Sequence, residues 1–133
     1  MDSDLQAEAT VTAPHFVYRA CVVYIVDGDT IDVDVDLGWG VWLRKQRLRL
    51  YGINTPEVRG PERPQGLESK AFVEDAVGGF ASKVLIQTFK DAKGKYGRWL
   101  ADVYYIPKEN PDGPMISLNR TLLARGLAKE ASY

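Results

Sequence analysis

Residues 27–37 read Asp-Gly-Asp-Thr-Ile-Asp-Val-Asp-Val-Asp-Leu. From Ile31 onward, apolar Ile31, Val33, Val35 and Leu37 alternate with Asp32, Asp34 and Asp36. A period of two belongs to a β-strand with one buried and one wet face. Upstream, Phe16 to Val26 is rich in β-branched and aromatic residues and reads as a long strand. An Asp-Gly pair between two such runs predicts a tight hairpin. Downstream, Gly38-Trp39-Gly40 predicts a second turn and Val41 to Tyr51 a third strand, completing an antiparallel meander.

Beyond the meander, Arg59 to Gly66 is too rich in Pro and Gly for regular structure. A helix is expected from about Leu67 to Val77, with Phe72, Val73 and Ala76 on one side and Gly78-Gly79 as its stop. Lys83 to Phe89 reads as a fourth strand, Asp91 to Gly97 as a basic turn, and Arg98 to Ile106 as a fifth strand. Pro107 to Pro114 is a surface loop, and Ser117 caps a short helix through Arg125 that Gly126 ends. This order predicts an α+β fold, a five-stranded OB-fold Greek-key barrel. A helix between strands 3 and 4 plugs one end, and a short C-terminal helix follows the last strand. Residues 1–14 are polar and read as a flexible N-terminal tail; residues 15–133 read as one domain.

The hydrophobic fraction of 45% and charged fraction of 26% are ordinary for a globular chain able to bury its own core. No apolar run approaches the length of a membrane span. The first dozen residues lack the basic start and apolar stretch of a secretory signal, so a cytoplasmic protein is expected, or a secreted one whose signal has been removed. A lone cysteine, Cys21, excludes an internal disulfide and is expected to be a buried, inert thiol. His15 has no second imidazole or thiol nearby, which argues against zinc. A net charge of -1 argues against a tight, non-specific nucleic-acid coat but not against a local cleft. Basic residues concentrate in Arg44 to Arg49 and Lys90 to Arg98, while Asp32, Asp34 and Asp36 read as a solvated strand face. No long exposed apolar element demands a partner, so a monomer is expected.

Candidate chemistry centres on Arg49-Leu50-Tyr51-Gly52-Ile53-Asn54-Thr55-Pro56-Glu57. Arg49 leaves the strand on the face opposite Leu48 and Leu50. Asn54, Thr55 and Glu57 bunch oxygen groups within a few residues, and Pro56 biases Thr55 toward extended backbone. A guanidinium fork beside clustered oxygens suits a phosphate ester held between Arg and a hard metal ion. Asp29 serves this scheme if it turns inward; otherwise it is an ordinary hairpin residue. Thr55-Pro56-Glu57 also has the form of a helix start, but the Pro- and Gly-rich stretch that follows does not continue one, which leaves Glu57 for catalysis. Lys95-Tyr96-Gly97-Arg98 forms a basic turn whose arginine, at a strand start, can converge with Arg49 at one barrel rim. Tyr51, Tyr96, Trp99 and Tyr104 either stack on bases or fill the core, the commoner fate of strand aromatics.

Asp29 in Asp-Gly-Asp-Thr, the Arg49–Glu57 run, Arg98 in Lys-Tyr-Gly-Arg and the ending Asn119…Leu122…Arg125-Gly126-Leu127-Ala128-Lys129 together resemble the staphylococcal nuclease-like (thermonuclease) family over about residues 20–131. The resemblance implies an OB-fold barrel and a calcium-dependent endonuclease. Its substrates would be single-stranded or loosely paired DNA and RNA, cut at the bond to the 5′ oxygen to leave 3′-phosphates. It also implies metal ligation by Asp29, Asn54 and the backbone carbonyl of Thr55, with magnesium or manganese as alternative ions. By the same resemblance Glu57 positions or deprotonates the attacking water, Arg49 and Arg98 are the catalytic phosphate-binding arginines, and Lys95 and Tyr96 contact a neighbouring phosphate. Asn54 stands where the best-known member has aspartate, so weaker calcium binding is expected. Ser132 falls where a base-stacking tyrosine would be. The rival reading is a non-catalytic nucleic-acid-binding barrel of the same family: Asn54 favours it, and retention of Asp29, Arg49, Glu57 and Arg98 opposes it.

Overall fold

The computed structural model describes residues 16–78, 82–89 and 99–131. The elements run β1 (Val17–Asp27), β2 (Thr30–Asp36), β3 (Trp42–Leu50), β4 (Ile53–Asn54), a 3-10 turn (Gly60–Glu62), α1 (Arg63–Val77), β5 (Ser82–Phe89), β6 (Trp99–Tyr105), β7 (Ile116–Ser117), α2 (Leu118–Ala124) and β8 (Lys129–Glu130). In β2 the alternation is realised: Ile31, Val33 and Val35 are buried, and Asp32, Asp34 and Asp36 lie on the partly open face.

Five strands make the barrel. β1 pairs antiparallel with β2 on one side and β5 on the other; β2 pairs with β3, and β5 with β6. Closure is parallel, β3 against β6, through Leu48↔Trp99, Arg49↔Leu100 and Leu50↔Ala101. A closed sheet has no free edge, which is how this fold avoids edge-to-edge association. Inside sit Val22, Ile31, Val33, Leu48, Leu50, Ile86 and Val103, met by Val73 and Val77 of α1 and Leu118 and Leu122 of α2. Each such side chain contributes about 1.5–3 kcal/mol on burial. Among the described residues no helix is long and apolar enough to cross a membrane.

Asn119 locks the seam. It is buried, its Nδ2 donates to the carbonyls of Tyr51 (2.8 Å) and Ala101 (3.1 Å), and its Oδ1 accepts from the Val103 N–H (3.1 Å). One side chain on α2 thus ties the end of β3 to β6. Ser117 caps α2 as expected, its Oγ accepting from the Arg120 N–H at 3.1 Å.

Several expectations need correction. The segment from Arg59 to Gly66 is not irregular: it holds the 3-10 turn and the first turn of α1, which begins at Arg63 rather than Leu67. Pro61 and Pro64 each sit within the first two positions of their helices, where a missing N–H costs nothing. The Asp-Gly hairpin forms, with Asp27 opposite Thr30, yet Gly28 does not adopt a positive φ. Cys21 is partly exposed rather than buried. The short strands β4, β7 and β8 had no sequence signal, because two residues are too few to show a period.

Candidate active site

Three pieces of backbone meet where β1 turns into β2. A Cβ on Gly28 would lie 2.9 Å from both Ser69 Cβ and Thr55 Cγ2, so the glycine is needed for close approach to α1 and the Thr55 loop. A Cβ on Gly66 would lie 2.1 Å from the carbonyl oxygen of Glu57. These two glycines let the hairpin turn and α1 lie directly on the Asn54–Glu57 stretch. The Glu57 N–H donates to Glu62 Oε1 at 3.2 Å, holding that stretch from its far side. Thr55 to Glu57 is not helical, as expected, although the reason lies in these contacts rather than in a helix-breaking sequence after it.

The hairpin turn aims its second carboxylate inward. Asp29 Oδ2 accepts the Thr55 N–H at 3.0 Å and lies 2.7 Å from Arg49 Nη1, while Oδ1 accepts the Thr30 hydroxyl at 3.1 Å. Nη1 is buried and its hydrogens align on no acceptor, so that contact is ionic rather than a directed hydrogen bond. The other arm of the fork, Nη2, donates to Asn54 Oδ1. Arg49 therefore spans the two side-chain oxygens that the resemblance assigns to a metal.

Asp27 completes the turn, its Oδ1 accepting the Asp29 N–H at 3.1 Å. Burial, then the hydrogen bond to Asp29 and its charge, push the Asp27 carboxyl up to about 6. Burial also acts to raise Asp29, but the Asp27 hydrogen bond, the Thr55 N–H and the Arg49 charge together hold it below the usual carboxylate range. Near pH 5 the pair thus consists of a protonated Asp27 and an ionised Asp29.

Around these groups lies a hollow of about 670 Å³ lined by Asp27, Asp29, Arg49, Asn54, Thr55, Glu57 and Glu62, with Gly126 to Glu130 as its far wall. A second hollow, of about 420 Å³, is lined by Phe16, Tyr18, Leu37, Leu43 and Trp99 among others and contains no carboxylate or cationic side chain. A third, of about 700 Å³, has Arg19, Asp36, Lys83 and Lys108 in its lining, whereas Asp29, Arg49, Asn54, Thr55 and Glu57 all line the first.

Asp29, Arg49, Asn54, Thr55 and Glu57 are brought together. Lys95, Tyr96 and Arg98 lie outside the described residues, as do His15, Ser132 and the N-terminal tail. The sequence reading missed Asp27 and Glu62. Asp27 was within reach, being the first half of the Asp-Gly-Asp repeat; Glu62 was hidden by treating its segment as irregular. The reading of Asp32, Asp34 and Asp36 as a solvated face also needs revision. Arg47 grips Asp32 with two arms (2.8 and 3.1 Å), and Arg44 meets Asp34 at 2.9 Å. The acidic face of β2 is thus paired with β3 rather than simply solvated. Tyr51 and Trp99 point outward rather than into the core, whereas Tyr105 is buried.

Among the described residues no three acidic, histidine or cysteine side chains converge tightly enough to hold an ion by themselves. The donors on offer are nevertheless all oxygen, which suits a hard cation completed by an amide, a backbone carbonyl and water.

Residues 47–133 match the family described as Staphylococcal nuclease homologue. The chain is 34% identical to a thermonuclease of Staphylococcus hyicus over 115 residues, which cover 84% of this chain and 59% of that protein. It is 32% identical to a thermonuclease of Staphylococcus intermedius over 60% of this chain and 45% of that one. An uncharacterised protein of Methanocaldococcus jannaschii is 28% identical, over 86% of this chain and 60% of its own length. The chain thus spans less than two thirds of each of these relatives. With the matched region holding the end of β3, the Arg49–Glu57 stretch and everything C-terminal to it, the chain belongs to the staphylococcal nuclease homologue family.

Proposed function

We propose that this nuclease-family chain is a metal-dependent phosphodiesterase that hydrolyses single-stranded or loosely paired DNA and RNA, displacing the 5′ oxygen and leaving 3′-phosphates. The observation that carries this reading is the meeting, in one hollow, of Asp29, Arg49, Asn54, Thr55 and Glu57. Asp29, Asn54 and the Thr55 carbonyl would hold calcium, or magnesium or manganese in its place. Bound there, the ion would supply Lewis-acid polarisation of a phosphoryl oxygen. The remaining work falls to the chain's own groups. Glu57 takes a proton from the attacking water, a role typically worth about 10²–10⁴-fold. Arg49 turns its fork to the phosphoryl oxygens as charge grows on them, where fixed donors contribute most. Arg98 would be the second such arginine, and Lys95 and Tyr96 the contacts to an adjacent phosphate.

A second reading, a nucleic-acid-binding barrel that does not cut, is favoured by one observation: Arg49 is held by Asp29 and by an amide, Asn54, that carries no charge. One assay separates them. Labelled single-stranded DNA and RNA are incubated with the protein in calcium and in chelator; calcium-dependent fragments ending in 3′-phosphate are expected. Intact strands that remain bound in both conditions would establish the binder instead. Glu57→Gln should lose about 10²–10⁴-fold in turnover with strand affinity nearly unchanged, measured by initial rates and by anisotropy.

A further inference from the structure

β8 brings two more charged residues to the hollow, Lys129 and Glu130, of which only the lysine is cationic. Asn54 of β4 lies opposite Lys129 of β8 in an antiparallel pair. Directly opposed residues of such a pair send their side chains to the same face, with Cβ atoms about 5 Å apart. Lys129 therefore stands beside the amide that holds Arg49, and it lines the same hollow as Asp29 and Glu57. Its backbone is fixed on both flanks. The Ala131 N–H donates to the Gly52 carbonyl at 2.9 Å, and Ser69 Oγ donates to the Leu127 carbonyl at 2.6 Å. Ala128, between them, is buried.

Charge gives this lysine a task. Five carboxylates, Asp27, Asp29, Glu57, Glu62 and Glu130, line the hollow, and each repels a phosphodiester when ionised. Arg44, Arg47 and Arg49 are all engaged by aspartates of β2 or its turn. Lys129 forms no ion pair with a carboxylate among the described residues. A compact ammonium on a flexible stem accepts a phosphate oxygen from many directions, unlike a planar fork. It suits a phosphate that must be held but not cut.

We infer that Lys129 is a substrate-positioning cation that binds a phosphate of the nucleic-acid strand beside the one presented to Arg49. This rests on the reading of the hollow as a phosphodiester site. The test uses the whole chain, calcium and a labelled phosphorothioate oligothymidylate, which keeps its charge and resists hydrolysis, titrated with potassium chloride. Lys129→Met should weaken binding by about tenfold or more at low salt. It should also reduce the slope of log affinity against log salt by about 0.7, the value for one phosphate contact on a single strand. Lys129→Arg should restore both, Lys129→Gln should repeat the loss, and Lys108→Met, remote and paired with Asp75, should change neither. With cleavable DNA, KM rises and kcat is unchanged. An unchanged salt slope in Lys129→Met, or a fall in kcat without a rise in KM, overturns this inference and leaves the nuclease reading in place. Failure of the unmodified protein to bind the oligonucleotide at low salt overturns both.

Discussion

Arg49 occupies the ground that a cation would need. Its two arms rest on Asp29 Oδ2 and Asn54 Oδ1, so an ion arriving at those oxygens competes with a guanidinium already there. On the proposed reading, metal affinity would be set by that competition as much as by the ligands. Asn54→Asp restores a charged donor and should tighten calcium binding by about tenfold, read by calorimetry on the nucleic-acid-free protein. Arg49→Met should tighten it too, whereas Arg47→Met removes an equal charge already committed to Asp32 and should not.

Asp27 makes a separate, pH-dependent statement. Its folded value is about 6 against an ordinary 3.8, so the folded protein holds the proton more tightly than the unfolded one. That contribution to stability is complete below about 3.8 and is lost as pH rises through about 6. Asp29 is shifted the other way and contributes above its ordinary value, losing this as the solution is acidified. Asp27→Asn should therefore gain on the unmodified protein across the window from about 3.8 to about 6, measured by urea unfolding in metal-free buffer. Equal stabilities of the two proteins at every pH in that window would contradict the assignment.

At the scale of elements, α1 decides where Glu57 sits. Gly66 lies inside the first half of a 15-residue helix, where alanine is ordinarily better by about 0.5–1 kcal/mol. Here an added methyl meets the Glu57 carbonyl at 2.1 Å, and forced overpacking costs about 1–3 kcal/mol. The steric term wins. Gly66→Ala should keep its helical circular dichroism, melt lower and lose turnover through displacement of Glu57; a higher melting temperature would show that propensity dominates.

The regular elements were legible because their periods are long enough to count: Ile31 to Leu37 alternates over seven residues, and Leu118 and Leu122 lie one turn apart. The start of α1 was misread because Pro and Gly were taken as breakers, whereas Pro64 occupies a tolerated first-turn position and Gly66 answers to a neighbour 9 residues earlier in sequence. The pairing of Arg44 and Arg47 with Asp34 and Asp32 depends on cross-strand register, which no local pattern specifies.

Over the whole molecule, the barrel closes along a seam that comprises three parallel residue pairs among the described residues, and Asn119 holds it with three hydrogen bonds. Removing that side chain strands buried backbone groups, each worth about 1–3 kcal/mol. Asn119→Ala should be among the more destabilising single changes, about 3 kcal/mol or more by urea denaturation. Exposed pairs such as Arg44–Asp34 should give far less in the same experiment, because solvent screens them. The site residues of the first half of the chain were legible as a group, but the wall they face was not, because β8 is two residues long and is recognisable only by its partner.

That wall has a consequence in time. The hollow draws on residues 27–62 and then on 126–130, so its far side is made well after its near side. Until that later stretch has left the ribosome, a nascent chain close to messenger and ribosomal RNA has Asp27, Asp29 and Arg49 but not the strand that encloses them. The order of synthesis thus holds the hollow open until its second wall exists.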